Sequence, residues 1–303
     1  MILVALGASH RTAELAVRER LAFSKAEVPD AVRALRRLRG VREAVLLSTC
    51  NRVECFVACD EAVRLKPALV RFLQRLRGLP AAAFERALVQ REGLEMVRHV
   101  IEGAAGLDSQ VVGEAQILAQ VRDAHAEALR AAATGTVLNG VFNRALAAAK
   151  RVRTQTEIGR LPASVASVAV DLAEKIFGGF AGRTVLLLGT GETAVLVAES
   201  LMDGGAPRLL VAGERHLERA KALAARYEGE ALGLDDARER LAEADVVIVA
   251  TASARYVIER DHVGRALRAR KSSPQFLIDL SVPRNVDPAV AGLEKANLYN
   301  LAD

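Results

Sequence analysis

Cys50 stands in Leu46-Leu-Ser-Thr-Cys-Asn-Arg-Val-Glu54, where an apolar run (Ala44 to Leu47) gives way to a short polar segment. A thiol at the end of a buried strand, beside Arg52 and backbone dipoles, is expected to have a lowered pKa and to act as a nucleophilic thiolate. Far downstream, Gly189-Thr-Gly-Glu-Thr-Ala194 follows the apolar run Val185 to Leu188 and opens a helical pattern. That order is the dinucleotide fingerprint with alanine in its third position. The first glycine makes the tight turn, and the second lets backbone N–H groups approach a pyrophosphate at a helix N-terminus. A cysteine nucleophile with a hydride donor implies acyl chemistry: a thioester is formed and then reduced.

Each of these groups has a plainer reading. A cytosolic cysteine is usually a small buried hydrophobe, but Thr49, Asn51 and Arg52 crowd polar groups around Cys50. Cys55 and Cys59 alternate in phase with Val53 and Val57, which reads as buried structural thiols on a strand. The three cysteines lie within ten residues, with no nearby histidine, and match no common zinc spacing. His10, in Ser9-His-Arg-Thr12, can line a cleft or sit beside a helix cap. His99 falls one position off the apolar stripe Leu94, Val97, Ile101. Ser109, Glu114, Gln116 and Gln120 cluster hydrogen-bonding groups around a glycine-rich turn, and the two glutamines share a helix face; capping with exposed glutamines is the plain alternative. After the second strand of the glycine-turn region, Glu214 suits a ribose 2′-hydroxyl, as in NAD, whereas Arg215 suits the 2′-phosphate of NADP.

Composition sets the bounds. At 303 residues, two domains are the default. Hydrophobic residues make up 51% and charged residues 26%, with a net charge of +5 and a pI near 9.4. This describes an ordinary water-soluble, helix-rich chain whose mild surplus is compatible with a polyanionic partner. No segment offers the roughly 18 uninterrupted apolar residues of a membrane span, and Met1-Ile-Leu-Val-Ala-Leu6 reads as a strand without a basic leader. A cytoplasmic location is expected, with no membrane partner and no metal.

The pattern predicts a strand at 2–8 and two helices, then strands 44–48 and 53–58 flanking the Thr49–Arg52 corner. A further helix follows Asp60, and from Glu92 to about Glu157 the reading is almost wholly helical, broken at Gly103 to Gly113. Beyond Gly159 and Pro162, a helix leads into strands at 183–189, 208–212, 246–250 and 276–279 separated by helices. The fold class is α/β: an N-terminal α+β catalytic domain over 1–158, then a doubly wound Rossmann-type NADP-binding domain over 159–290. Residues 291–303 are expected to begin a connecting helix.

Taken together these segments resemble the glutamyl-tRNA reductases, which start the five-carbon route to porphyrins and other tetrapyrroles. The resemblance runs over Ser9-His-Arg-Thr-Ala13, Ser48-Thr-Cys-Asn-Arg-Val-Glu54, Arg98-His99, Gly106-Leu-Asp-Ser109, Gly113-Glu-Ala-Gln-Ile-Leu118, Ala149-Lys-Arg-Val-Arg153, Gly189-Thr-Gly-Glu192 and Asp279-Leu-Ser-Val-Pro-Arg284. It implies an oxidoreductase in which Cys50 attacks the ester joining glutamate to tRNA(Glu), and NADPH reduces the thioester to glutamate-1-semialdehyde. It implies substrate contacts at Thr49, Asn51, Arg52, Ser109, Glu114, Ala115, Gln116 and Gln120, with Arg52 a natural partner for a glutamate carboxylate. It makes His99 the histidine important for activity, assisting proton transfer. Cofactor contacts would fall on Gly189, Thr190, Gly191, Glu192, Thr193, Ala194 and Arg215. Where the family usually has Asn-Arg-Thr, this chain has Glu214-Arg215-His216. The family also carries a helical dimerisation domain beyond the position of Asp303, so the resemblance leaves a homodimer open, as it does a hand-off to glutamate-1-semialdehyde aminomutase. Two rival readings remain: a dehydrogenase of free hydroxy or keto acids resembling shikimate dehydrogenase, which needs no Cys50, and an RNA-binding regulator with the nucleotide domain as scaffold.

Overall fold

A computed structural model describes residues 1–60, 65–159, 164–205, 208–213, 217–271 and 273–303. The chain divides into two compact units, Met1–Ser164 and Val165–Asp303.

In the first unit, β1 (Ile2–Ser9) leads through α1 (Leu15–Leu21) and α2 (Val28–Arg36) to the hairpin β2 (Val41–Ser48) and β3 (Arg52–Cys59). Then come α3 (Leu65–Arg77), the short β4 (Val89–Glu92), α4 (Gly93–Ala105), α5 (Gln116–Arg130) and α6 (Thr136–Gln155). The strands form an antiparallel sheet in the order β2-β3-β1-β4. β3 is central, and all eight of its residues are buried. Cys55 and Cys59 are buried, as the alternation suggested, but so is the opposite face, where Phe56 meets Phe142 of α6 edge-on at 5.5 Å. That second face therefore carries buried polar groups, Arg52 and Glu54, among the apolar ones.

The Glu43 side chain of β2 is buried and accepts hydrogen bonds from the backbone N–H groups of Val137 (3.2 Å) and Leu138 (2.7 Å). Gly135, at the N-cap of α6, has no side chain to do this. A strand carboxylate thus satisfies the orphan donors of a helix start.

The second unit begins with α7 (Val165–Phe177) and continues β5 (Thr184–Leu188), α8 (Glu192–Asp203), β6 (Arg208–Gly213), α9 (Leu217–Ala225) and β7 (Glu230–Gly233). It is completed by α10 (Leu234–Glu239), β8 (Val246–Val249), α11 (Arg260–Ala269), β9 (Gln275–Asp279) and β10 (Ala296–Asn300). Its six strands are all parallel, in the order β10-β9-β8-β5-β6-β7. The strand order reverses between β5 and β8, which makes their carboxyl ends the topological switch point of a doubly wound sheet.

The expected connecting helix at 291–303 is not found. Ala296–Asn300 is an edge strand, with Leu298 in register against Leu277 of β9. Lys295 has φ of +73°, a backbone region closed to helix continuation, and Ala296 and Leu298 gain burial by packing on the sheet core. The segment completes the second unit, which extends to Asp303 instead of ending near 290.

Replacing Glu43 with alanine should lower unfolding free energy by about 1–3 kcal/mol, the cost of leaving buried donors unpaired. Denaturant unfolding followed by circular dichroism measures it; an unchanged midpoint would contradict the capping role.

Candidate active site

The tip of the β2–β3 hairpin is built by its own residues. Thr49 donates its N–H to the Arg52 carbonyl (2.8 Å), and its hydroxyl accepts the N–H groups of Asn51 (3.1 Å) and Arg52 (3.2 Å). Arg18 of α1, almost fully buried, then clamps the tip: its Nη1 donates to the Cys50 carbonyl (2.6 Å) and to Asn51 Oδ1 (3.3 Å). The His10 N–H donates to the Asn51 carbonyl at 2.8 Å, extending the β1–β3 ladder to the tip.

Beneath the tip lies a buried charge network. Arg52 is 2% exposed. Its Nη1 lies 3.2 Å from Asp108 Oδ2 and 3.5 Å from Glu54 Oε2, and its Nη2 donates to the Asp108 carbonyl. Glu54 Oε1 sits 2.8 Å from His99 Nε2. Burial alone would raise the Glu54 carboxyl, but the His99 hydrogen bond and Arg52 outweigh it and hold Glu54 below the usual carboxylate range. Arg11 reaches Asp108 from the solvent side at 3.0 Å. The terminal nitrogens of Arg52 are therefore engaged within the protein, and its Nε is buried without a hydrogen-bond partner. His10 Nδ1 is likewise unpartnered, and burial, with Arg52 next, lowers the His10 pKa.

Cys50 is half-buried, and its thiol does not have the lowered pKa that its neighbours suggested. Burial and the Glu114 carboxylate push it up to about 11, overriding Arg18, a backbone hydrogen bond and Arg52. The sequence shows the arginine beside the cysteine; the carboxylate brought in from 64 positions away becomes visible only when folded.

Glu114 arrives on a closed loop. Gly106 (φ +83°) ends α4, and the Gly113 N–H (φ +86°) donates back to the Gly106 carbonyl at 2.9 Å. A side chain at Gly113 would lie 2.6 Å from the Ile158 carbonyl oxygen, so only glycine fits. Arg153 of α6 holds the loop, donating to the carbonyls of Gly113 (3.0 Å) and Glu114 (3.2 Å). Ser109 and Glu114 are buried, Ala115 is exposed at the N-cap of α5, and Gln116 and Gln120 stand half-buried on its first two turns.

The structure thus gathers Thr49, Cys50, Asn51, Arg52 and Glu114 at the hairpin tip, with Asp108 and Ser109 beside Arg52. His99 is set one layer deeper, on Glu54. α4 turns differently from the expected stripe: Leu94 is 86% exposed, while Met96, His99, Val100 and Gly103 are buried. The sequence does not show the partnerships of Arg11, Arg18, Glu54 and Asp108: folding brings Arg18 to the Cys50 carbonyl and sets Glu54, Asp108 and, through Asp108, Arg11 around Arg52.

The glycine turn of the second unit fits a dinucleotide. Gly189 has φ of +130°, and a Cβ there would lie 2.2 Å from the Ala250 carbonyl oxygen, so the close approach of β5 and β8 demands glycine. Gly191 is different: it has an ordinary φ of −84°, and a Cβ there would meet nothing within 4 Å. Nothing in the fold requires glycine at 191, and the space before α8 is open, which suits a pyrophosphate. Thr190 and Thr193 are half-buried, Glu192 is exposed, and Ala194 is fully buried where helix packs on sheet. Arg215, with Glu214 and His216, lies outside the described residues. The loop after β8 is braced: Thr251 N–H donates to Ser281 Oγ (3.2 Å), and Asn285 Nδ2 donates to the Ser253 carbonyl (2.9 Å). Asp279 anchors that brace by accepting backbone N–H groups from Ser281, Asn285 and Val286.

A thiol-bearing α+β unit followed by a nicotinamide-nucleotide-binding unit defines a class of oxidoreductase. Residues 6–156 match the family model of the glutamyl-tRNA(Glu) reductase N-terminal domain, and residues 171–303 match that of shikimate/quinate 5-dehydrogenase. The chain is 42% identical over 303 residues to glutamyl-tRNA reductase of Marinobacter nauticus, covering 100% of this chain and 70% of that protein. It is 45% identical over 298 residues to glutamyl-tRNA reductase 2 of Anaeromyxobacter dehalogenans, covering 98% of this chain and 65% of that one. Glutamyl-tRNA reductase from Methanopyrus kandleri, a solved structure, shares 37% identity over 98% of this chain and 71% of its own, with a TM-score of 0.49. The chain belongs to the glutamyl-tRNA reductase family. Among the described residues, no helix is long and apolar enough to cross a membrane.

Thiol alkylation by iodoacetamide should keep rising with pH beyond 9 in the wild type, toward about 11. Glu114→Gln removes the repelling carboxylate and should move the profile to lower pH. Peptide mapping assigns the reaction to Cys50; a wild-type profile that levels off below pH 9 would refute the raised pKa.

Proposed function

We propose that this chain reduces glutamyl-tRNA(Glu) to glutamate-1-semialdehyde through a thioester on Cys50, with NADPH as reductant, at the head of tetrapyrrole synthesis. The observation that carries this reading is the half-buried Cys50 thiol held beside the Glu114 carboxylate at a clamped hairpin tip.

Cys50 is a poor nucleophile while burial and the Glu114 carboxylate outweigh Arg18 and Arg52. The glutamyl group brings an α-ammonium, and its binding at Glu114 would cancel the repulsion and lower the thiol pKa, so the thiolate forms when substrate is present. The sulfur then attacks the ester carbonyl: the S–C bond forms, the C–O bond to the terminal ribose breaks, and the thiol proton ends on the ribose oxygen. Thr49, Asn51, Ser109, Ala115, Gln116 and Gln120 would bind the glutamyl group, and the unpartnered Arg52 Nε is the donor left for its carboxylate. His99 would act at one remove, holding Glu54 and through it Arg52. Bound NADPH supplies the hydride that reduces the thioester. Gly189 to Ala194 would hold its pyrophosphate, and preference for the 2′-phosphate would rest on Arg215. A free hydroxy-acid dehydrogenase would have no use for the Cys50 tip.

Two experiments test this. Mass spectrometry of wild type with glutamyl-tRNA(Glu), without NADPH, should show a glutamyl adduct on Cys50 that NADPH discharges to an aldehyde. Cys50→Ser should show neither; turnover by that variant would defeat the thioester route. Gly191→Ala should weaken NADPH binding by about tenfold or more, roughly 1.4 kcal/mol, with the melting temperature unchanged because its methyl enters open space. Unchanged cofactor affinity in titration calorimetry would show that the pyrophosphate lies elsewhere.

A further inference from the structure

We infer that the solvent face of α6 is the docking surface for the phosphate backbone of the RNA substrate, continuous with the loop that carries Glu114. The inference rests on the tRNA reading above and adds where the polyanion lies.

α6 is 20 residues long and contains Arg144, Lys150, Arg151 and Arg153 but no aspartate or glutamate. Its buried side is Leu138, Phe142, Ala145 and Ala149. The opposite side exposes Asn143, Arg144, Ala147, Lys150, Arg151 and Thr154 at helical spacing. Some exposed cations of this unit are answered by carboxylates, such as Arg33 by Asp30, Arg42 by Asp60, Arg98 by Glu102 and Arg130 by Glu127. No described carboxylate forms an ion pair with Arg144, Lys150 or Arg151. A helix that only had to fold would gain from Glu–Lys pairs four apart; α6 forgoes them and keeps a single-sign surface.

Position distinguishes this helix. Arg153, in its last turn, is spent on the Gly113 and Glu114 carbonyls. Lys150 and Arg151 therefore stand within one turn of the loop whose carboxylate faces Cys50. Arg144 lies about 10 Å further along the axis, a stretch on the order of three phosphates of a duplex strand. α3 is also basic, but Arg77, at its end toward the hairpin, is spent on Glu27 (2.8 Å) and on the face of the Phe23 ring. The charge balance agrees: residues 1–164 hold 25 Lys+Arg against 17 Asp+Glu, and the remainder 17 against 20. The mild overall surplus conceals a basic thiol-bearing unit joined to a slightly acidic cofactor unit. Arginine's planar fork suits phosphate oxygens, and the small Ala147 between the cations leaves room for close approach.

The test measures fluorescence anisotropy of uncharged tRNA(Glu) against salt for wild type, Lys150→Ala/Arg151→Ala, and Arg71→Ala/Arg75→Ala in α3. The α6 variant should bind about tenfold more weakly and lose about 1.5 from the log–log salt slope, near 0.7–0.9 per phosphate contact. In turnover it should raise KM for glutamyl-tRNA and leave kcat and NADPH affinity unchanged. Melting curves check that the variants are folded; Arg144→Ala alone should give a smaller loss of the same kind. Wild-type affinity in the α6 variant, or an equal loss in the α3 variant, would overturn the inference while leaving the tRNA reading intact. No tRNA binding by wild type would overturn both.

Discussion

The first unit is organised around the burial of one positive charge. Arg52 opens the central strand of the sheet and is almost wholly removed from water. A buried guanidinium is tolerated only where carboxylates and carbonyls answer it, and removing one partner typically costs about 3–5 kcal/mol. Its partners come from three places: Glu54 two residues along the same face, Asp108 from the loop after α4, and His99 of α4 through Glu54. Satisfying Arg52 therefore fixes β3, α4 and the loop to one another. The Cys50 tip, clamped from the other side by Arg18, inherits that rigidity. Preorganisation of this kind holds a reacting group without paying for reorganisation during reaction.

The two units solve their binding problems by different physics. Around Cys50 the environment is electrostatic, with cations from the turn after β1, from α1 and from β3 set against Asp108 and Glu114. The balance favours the neutral thiol. In the second unit the glycine turn works through space and backbone. One glycine allows strands to meet, the next leaves a gap, and Ala194 lets α8 lie close on the sheet. The Asp279 carboxyl belongs to that scaffold; burial raises its pKa even though three backbone N–H groups converge on it.

Long, strongly patterned elements were legible in the sequence. The Cys50 corner, the helical stretch from Glu92, the glycine turn and the parallel βαβ series lie where the residue spacing put them. Three short strands were not: β4 (VQRE), β7 (EALG) and β10 (ANLYN) lack the continuous apolar run that marks β8 (VVIV) at comparable length. β10 in particular gains its identity from pairing with β9, a nonlocal partner. The phase of α4 was misjudged because Leu94 looks like a core residue, whereas the helix turns its polar His99 inward to meet Glu54. A buried polar pair defeats any reading that equates the inner face with the apolar one.

Sequence by itself determined the class of each unit and the family, since a thiol at a strand end and a glycine-rich turn are local features with local physical causes. Tertiary structure decided their electrostatic state: Glu114, Arg18 and Asp108 reach the hairpin tip from separate elements, and Coulomb interactions act through space, not along the chain. The direction of the Cys50 shift, the engagement of Arg52 and the solvent-facing cation stripe of α6 all follow from which charges folding brings together and which it leaves facing water.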